Sequence, residues 1–432
     1  MRITIIGTGY VGLTSAAALA EFGHDITCFD KDHDKILRLR NGDPVIYEDG
    51  LAELMQKNSR KLFFTYSKNE AYGNADVVFV CVGTPESEDG SADLSYVYDA
   101  VNDVLETIDK DIVLVIKSTV PIGTGDMIQC YIDRSACSYK IDVVSNPEFL
   151  SQGTAVKNML NADRVIIGIA TEEARRIMGE IYQNIDSPIV FTDRNSAEMI
   201  KYASNTYLAL KISYINEIAN LCEKLDANIN DVSMGMGLDP RIGSRFLNAG
   251  IGYGGSCFPK DTKALCMLAD SKGYELKTVK ATIEVNDKQK YRLIDKARKY
   301  YESFDGLTVA VLGLTFKPGT DDLREAPAVK NIPLILSEGG FVKVWDPAGL
   351  RKYKDLLSAN NGIDQDKIMI CTSPHETLQN ADVCLVFTEW EDIRNLGEGD
   401  FEVMRNKVVL DGRNCLKLQN KAEDLIYEAI GC

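Results

Sequence analysis

Histidine is scarce in this sequence: His24, His33 and His375 are the three in 432 residues. They are scattered, with no ligand-spaced cysteine pair nearby. No metal site is therefore expected, and any general base should be a carboxylate or a lysine. The eleven cysteines contain no C-x-x-C pair and form no small-protein disulfide framework. An odd count in so long a chain reads as reduced thiols and a cytoplasmic protein. Long apolar runs are missing as well. The longest, 77–82 and 112–116, span six and five residues, far short of the roughly 20 needed to cross a bilayer. Positive charge is in deficit, with 48 Lys and Arg against 64 Asp and Glu and a net charge of −16. That argues against a nucleic-acid or anionic-membrane surface, while leaving room for a local basic pocket.

Hydrophobic residues make up 45% and charged residues 26%, ordinary for a globular chain, and the length suggests two or three domains. Arg2 and the Ala-rich stretch after it faintly imitate a signal peptide. Gly7, Gly9 and Gly12 interrupt it and Glu21 follows at once, so the segment reads as strand, turn and helix.

Three regions can be separated. Residues 1–195 alternate helical stretches with β-branched runs at 2–6, 25–30, 76–83, 112–118, 141–145 and 164–169. Such alternation implies βαβ units and a parallel sheet, because parallel neighbours need crossover connections. Residues 196–300 carry almost no strand signal. Within them 196–225 reads as one long helix, with Met199, Tyr202, Leu210, Tyr214, Ile218 and Leu221 at helical spacing. Residues 301–432 return to strand patterns at 307–312, 345–346, 381–388 and 407–411. This last region echoes the first. Ala75-Asp76-Val77 begins 68 residues after Gly7, and Ala381-Asp382-Val383 begins 68 residues after Gly313. The fold class expected is α/β: two Rossmann-like doubly wound parallel-sheet domains joined by a long central helix and a helical middle region.

The run Gly7-Thr8-Gly9-Tyr10-Val11-Gly12 follows a strand and opens a helix. Gly7 allows a tight turn, Gly9 a close approach of backbone to a pyrophosphate, and Gly12 close packing of helix on strand. The phosphates then meet the helix N-terminus, whose free N–H groups and dipole favour negative charge. Asp30, at the end of the second strand and 23 residues beyond Gly7, is placed to accept hydrogen bonds from a ribose 2′-hydroxyl. It would repel a 2′-phosphate, so NAD is expected rather than NADP. FAD would meet the same loop, but no second flavin signature is present.

The run 250–261, Gly-Ile-Gly-Tyr-Gly-Gly-Ser-Cys-Phe-Pro-Lys-Asp, places four glycines in six residues. That demands unusual backbone or close ligand approach. Pro259 suits a first helical position, which puts Cys257 just before a helix N-terminus. Positive potential there favours a thiolate nucleophile, with Asp261 in the first turn nearby. Cys81, Cys222 and Cys384 read instead as buried small hydrophobes. Lys201 and Asn205, at i, i+4 on the long helix, share a face; the pair gains meaning if that face meets Cys257. Val82-Gly83-Thr84-Pro85, Lys117-Ser118-Thr119-Val120-Pro121 and Asn146-Pro147-Glu148-Phe149-Leu150 stand at carboxyl ends of strands, where open α/β sheets bind ligands.

Together these motifs resemble the UDP-glucose 6-dehydrogenases of the UDP-glucose/GDP-mannose dehydrogenase family. The matching segments are 7–12, 81–85, 117–124, 146–150, 197–223, 241–247, 252–261, 313–327 and 411–413, nearly the whole chain. The resemblance implies a cofactor-binding domain at 1–195, a dimerising middle at 196–300 and a UDP-sugar-binding domain at 301–432. It implies a homodimer that works on UDP-glucose, with neither nucleic acid nor membrane as partner. The implied reaction is an NAD-dependent four-electron oxidation of a sugar C6 alcohol to a carboxylate. A cysteine traps the intermediate aldehyde as a thiohemiacetal and then a thioester.

Carried onto this sequence, the resemblance makes Cys257 the nucleophile and Lys201 and Asn205 the oxyanion donors, with Asp261, Thr119 and Glu148 managing proton and water. NAD would be held by Gly7, Gly9, Tyr10, Val11, Gly12, Asp30, Lys35, Thr84, Thr119, Gln152, Lys260 and Arg324. The substrate would be held by Glu148, Phe149, Leu150, Lys201, Asn205, Phe246, Leu247, Asn248, Ala249, Gly250, Gly254, Phe316, Lys317 and Arg413, with Arg241 reaching across from a partner subunit. One departure stands out. Many relatives carry Glu where this chain has Gln152, which keeps hydrogen bonding and loses the charge.

Competing expectations are a sister enzyme oxidising GDP-mannose or a UDP-N-acetylhexosamine, a two-electron hydroxyacid dehydrogenase that does not need Cys257, and a silent NAD-binding sensor or scaffold.

Overall fold

The structure, a computed structural model, describes residues 1–359, 362–418 and 424–432. The chain divides into two compact units, Met1–Ser204 and Asn205–Cys432.

The first unit is built on eight strands: β1 Arg2–Ile6, β2 Asp25–Phe29, β3 Leu62–Thr65, β4 Val77–Val80, β5 Ile112–Ile116, β6 Ile141–Ser145, β7 Val165–Gly168 and β8 Ile189–Thr192. They lie in the order β3-β2-β1-β4-β5-β6-β7-β8. All neighbours are parallel except β6 and β7, which run antiparallel and pair only at Ser145 and Gly168. The second unit carries β9 Thr308–Leu312, β10 Phe341–Trp345, β11 Ile368–Ile370, β12 Val383–Val386, β13 Val408–Asp411 and β14 Ile426–Ala429. Its order, β11-β10-β9-β12-β13-β14, is parallel throughout. Both sheets thus follow the doubly wound plan that the alternating pattern implies.

Side-chain alternation explains why both faces are covered. In β4 and β5, Val77, Phe79, Val113 and Val115 enter one core, while Val78, Val80, Leu114 and Ile116 enter another. Val309, Val311 and Leu385 divide from Ala310, Leu312 and Val386 in the same way. Each fully buried aliphatic contributes roughly 1.5–3 kcal/mol. A strand buried on both faces has no polar alternation, which is why these runs stand out in sequence.

Four strands escape the sequence pattern: β3, β8, β11 and β14. They are the four sheet edges. Each is short and half covered, with exposed or partly exposed residues such as Phe63, Val190, Met369 and Ile426. An edge strand needs less apolar sequence than a central one, so its signal is weak.

The 68-residue echo has a structural cause. Asp76 accepts the Arg2 N–H at 2.9 Å and Asp382 accepts the Thr308 N–H at 2.8 Å. In each sheet the acid that opens the fourth or equivalent strand brackets the start of the first. The helix Arg194–Leu225, 32 residues long, begins in the first unit and ends in the second. No helix among the described residues is long and apolar enough to cross a membrane.

Candidate active site

In the first unit, Gly7 closes β1 with φ +91°, a conformation open to glycine without steric cost. A Cβ at Gly7 would press on the Cys81 carbonyl, and one at Gly12 would strike the Gly7 carbonyl. Gly9 is the N-cap of helix Tyr10–Glu21, with no side-chain cap, and a Cβ there would meet nothing within 4 Å. Tyr10 and Val11 form the first turn, where backbone N–H groups lack intrahelical partners. Asp30, directly after β2, accepts through Oδ2 from Thr8 N (2.9 Å), Thr8 Oγ1 (2.6 Å) and Lys35 Nζ (2.9 Å). Burial pushes its pKa up, but the bonds from Thr8 and Lys35 outweigh burial and hold the carboxyl below the ordinary aspartate range. An open helix end, small residues beneath it and an ionised acid at the second strand fit NAD.

The turns after β4, β5 and β6 gather the other first-unit candidates. Thr84 Oγ1 donates to the Thr119 carbonyl at 2.8 Å. Lys201 Nζ donates to Glu148 Oε1 at 2.9 Å, with both residues nearly sealed from solvent, and the Leu150 N–H donates to Glu148 Oε2 at 2.5 Å. Burial opposes ionisation of Glu148, yet Lys201, the Leu150 N–H and the charge on Lys117 prevail, so its pKa lies below the usual glutamate range. Glu148 is a carboxylate at neutral pH. Phe149 lies beneath two cations, the Arg164 guanidinium at 4.0 Å and Lys201 Nζ at 5.5 Å from its centroid. Gln152 is half-buried in the turn that follows.

Two charged residues here were given no role of their own from sequence. Lys117, nearly sealed, donates to Asn146 Oδ1 at 3.2 Å, and that oxygen also accepts from Tyr182 at 2.6 Å. Burial pushes the Lys117 pKa down. Glu198, one turn before Lys201, accepts from Gly123 N (2.6 Å), Gly125 N (2.9 Å) and Ser145 Oγ (2.8 Å). It ties the segment that follows β5 and the last residue of β6 to the helix that carries Lys201. Its sequence signals are helical spacing from Lys201 and a place in the 197–223 segment that carries the resemblance.

In the second unit, Cys257 is the N-cap of helix Phe258–Ser271, with Pro259 in the first turn. The thiol is in no disulfide and is half-buried. Cys81, Cys222 and Cys384 are buried, as expected from their apolar surroundings; burial pushes the Cys81 thiol up to about 12. Asp261, 1% exposed, accepts from Asn205 Nδ2 at 2.7 Å and from Lys260 Nζ at 2.8 Å. Its own N–H donates to the Cys257 carbonyl at 2.8 Å. The long helix therefore bonds Glu148 through Lys201 in one unit and, one turn later, Asp261 through Asn205 in the other.

Around the cysteine loop the second unit collects most of the substrate candidates. Gly254 leaves no room for a Cβ against the Glu325 carbonyl, and a Cβ at Gly255 would come 2.9 Å from the Phe316 ring. Arg413 donates to the carbonyls of Phe387 (2.8 Å), Gly252 (3.1 Å) and Phe316 (3.2 Å). Lys317 Nζ lies 5.6 Å from the Phe316 centroid. Arg324 extends into solvent while bonded to Asp322 at 2.7 Å. Phe246 has φ +65° and packs on Phe258, at 6.3 Å between centroids. Leu247 and Ala249 are buried and Asn248 is exposed. Arg241 stands apart, 88% exposed in its side chain and paired with Asp239. Three buried amides that brace the loop, Asn216, Asn286 and Gln289, were passed over in sequence, because amides on helices resemble solvated polar residues. Among the described residues no cluster could hold a metal ion.

Residues 1–186, 195–288 and 310–418 match the NAD binding, central and UDP binding domains of the UDP-glucose/GDP-mannose dehydrogenase family. The chain is 42% identical to the UDP-glucose 6-dehydrogenase TuaD of Bacillus subtilis, covering 100% of this chain and 93% of that protein. It is 42% identical to the UDP-glucose 6-dehydrogenase of Rhizobium meliloti, covering 100% and 99%. The solved UDP-glucose dehydrogenase of Pyrobaculum islandicum superposes with a TM-score of 0.92 at 36% identity, covering 100% and 97%.

Proposed function

Since the chain belongs to the UDP-glucose/GDP-mannose dehydrogenase family, we propose that its NAD-dependent oxidation of UDP-glucose to the glucuronate runs through a thioester on Cys257. The observation that carries this reading is a half-buried thiol, in no disulfide, at a helix N-terminus whose first turn holds Asp261 against Asn205.

NAD, when bound, supplies a hydride acceptor for each of two oxidations. The first converts the C6 alcohol to an aldehyde. The Cys257 thiolate adds to the aldehyde carbon, and the aldehyde oxygen takes up a proton, giving a thiohemiacetal. Loss of the C6 hydrogen as hydride and of the hydroxyl proton leaves a thioester. Water adds, the C–S bond breaks, and the thiolate departs as the carboxylate forms. In sum, one alcohol, one water and two oxidised cofactors become one carboxylate, two reduced cofactors and three protons.

Lys201 and Asn205 are the donors to the developing oxyanion, worth a few kcal/mol each. Glu148, held ionised by Lys201, is suited to accept a proton rather than to give one. Asp261 and Thr119 orient the water, and the neutral Gln152 contributes orientation alone. Asp30, Lys35, Thr84, Lys260, Arg324 and the glycine loop hold NAD. Phe149, Leu150, Phe246–Gly250, Gly254, Phe316, Lys317 and Arg413 hold the nucleotide sugar, the cations facing its diphosphate. Functionally, 1–195 serves the cofactor, 196–300 assembly and 301–432 the UDP sugar.

Assembly as a homodimer is supported by Tyr207, Tyr214 and Leu221, exposed at seven-residue intervals on the long helix, with Leu225 beyond them. A continuous apolar stripe on a helix calls for a partner, and Arg241 is the residue offered to the partner's substrate. A cytoplasmic location is supported by eleven cysteines of which none forms a disulfide.

The test is NADH released per UDP-glucose, with peptide mass spectrometry of the quenched enzyme. Two NADH and an acyl adduct on Cys257 are expected; one NADH and no adduct would reject the thioester. Tyr214→Glu with Leu221→Glu should convert a sedimenting dimer to monomer.

A further inference from the structure

The glycine-rich loop before Cys257 is gripped by three side chains that the proposed chemistry leaves unused. Asn286, on helix Lys277–Gln289 and 2% exposed, accepts from Tyr253 N at 2.8 Å through Oδ1 and donates to Tyr253 O at 3.2 Å through Nδ2. Gln289, three residues on, donates to Gly250 O at 2.6 Å. Asn216, on the long helix and fully buried, accepts from Gly250 N at 2.8 Å. Both backbone groups of Gly250 and both of Tyr253 are thus satisfied by amides rather than by a helix or a ladder. That is how a non-repeating backbone survives burial.

The same grip explains a glycine. Gly252 has φ +84°, and a Cβ there would lie 2.6 Å from Asn286 Oδ1. The motif's middle glycine makes room for the amide, apart from anything a ligand requires. Tyr253 in turn meets Phe258 edge-on, at 5.8 Å between centroids, and Phe258 is the first residue of the helix that Cys257 caps. Fixing Tyr253 therefore constrains Cys257 through the backbone on one side and through a ring contact on the other.

We propose that Asn216, Asn286 and Gln289 are positioning residues, a buried amide clamp that sets the 250–253 backbone and thereby the presentation of the Cys257 thiol. This rests on the reading of Cys257 as nucleophile. An amide is required at 286 because one side chain must both accept and donate on a single residue. An aspartate carboxylate only accepts, and would face the Tyr253 carbonyl with like polarity.

Asn286→Asp breaks the clamp from the helix and Gly252→Ala breaks it from the loop. For each, turnover with UDP-glucose and NAD is measured beside the rate of iodoacetamide alkylation at Cys257, resolved by peptide mass spectrometry. The exposed Cys130 serves as internal standard. Both variants should lose about ten- to a hundred-fold in kcat, as expected for a small misplacement of a reacting group. Both should also change Cys257 alkylation several-fold while Cys130 is unmoved. Folded variants that alkylate Cys257 at the parental rate overturn the clamp, whatever their turnover. Should neither fold, Asn216→Ser, which removes one bond of the four, decides by the same two readouts. Cys257→Ala run in parallel separates the readings. Retained turnover there removes the nucleophile, while the alkylation result on the clamp variants still judges the clamp.

Discussion

In both sheets a glycine closes the first strand and donates its N–H to the last residue of the second. Gly7, at φ +91°, bonds Phe29 and Gly313, at φ +89°, bonds Trp345, both at 2.8 Å. In both, the next residue along the second strand is an aspartate that turns back onto the loop. There the likeness stops. Asp30 accepts from Thr8 and Lys35 and keeps a rim of exposed side chain. Asp346 is 1% exposed and accepts from the N–H groups of Leu314, Thr315, Ala348 and Gly349, from the Thr315 hydroxyl and from the Trp390 indole. The loops differ accordingly. Gly7-Thr8-Gly9 opens a helix at once, whereas Gly313-Leu314-Thr315 has no second glycine and its helix waits until Pro327. One topology therefore hosts an acid left partly open to solvent, the one proposed to hold NAD, and an acid spent as an internal brace. Residual exposure, more than position in the fold, separates the two.

The sharpest test of the division concerns sulfur. Cys257→Ala should lower turnover roughly a thousand-fold or more, whereas Cys384→Ala, in the buried β12, should stay within about three-fold; steady-state rates on the two variants check this. Next, Asp30→Ala should weaken NAD by about ten- to a hundred-fold, the equivalent of lost hydrogen bonds to a charged group, as read by calorimetry. Asp346→Asn should leave NAD affinity alone and cost about 3 kcal/mol of stability, because several donors converge on the lost charge; denaturant titration reports it. If Asp346→Asn weakened NAD as much as Asp30→Ala, the contrast between the sheets would be wrong.

The smallest effect is one of pH. Glu148 has a folded pKa below its ordinary 4.5, so its pairing with Lys201 contributes stability in full above about pH 4.5. That contribution is lost as pH falls through the lower folded value. The melting difference between the parent and Glu148→Gln should therefore be widest at neutral pH and close toward strong acid. A difference that grew on acidification would contradict the pairing.

Much of this was legible in the chain because the relevant residues break a local rule. Gly7, Gly9 and Gly12 interrupt an apolar run, Pro259 marks a helix start behind Cys257, and Asp76 and Asp382 recur at one interval. What escaped obeys local rules. Asn286 and Gln289 at i, i+3 look like the wet side of a helix until packing buries them, and Glu198 looks like one more surface acid. Thr8 went unremarked because its backbone N–H does as much as its hydroxyl. The edge strands β3, β8, β11 and β14 lack the doubly buried pattern, because half of each faces away from the core.

The paired aspartates that bracket the first strands carry a consequence for biosynthesis. Arg2 waits for Asp76 and Thr308 waits for Asp382, an interval of 74 residues in each case. At about 5–20 residues per second on the ribosome, each opening strand spends roughly 4–15 seconds without its latch. Twice during synthesis the nascent chain thus carries an apolar central strand with one of its two neighbours yet to emerge, and those are the moments at which a chaperone has most to shield.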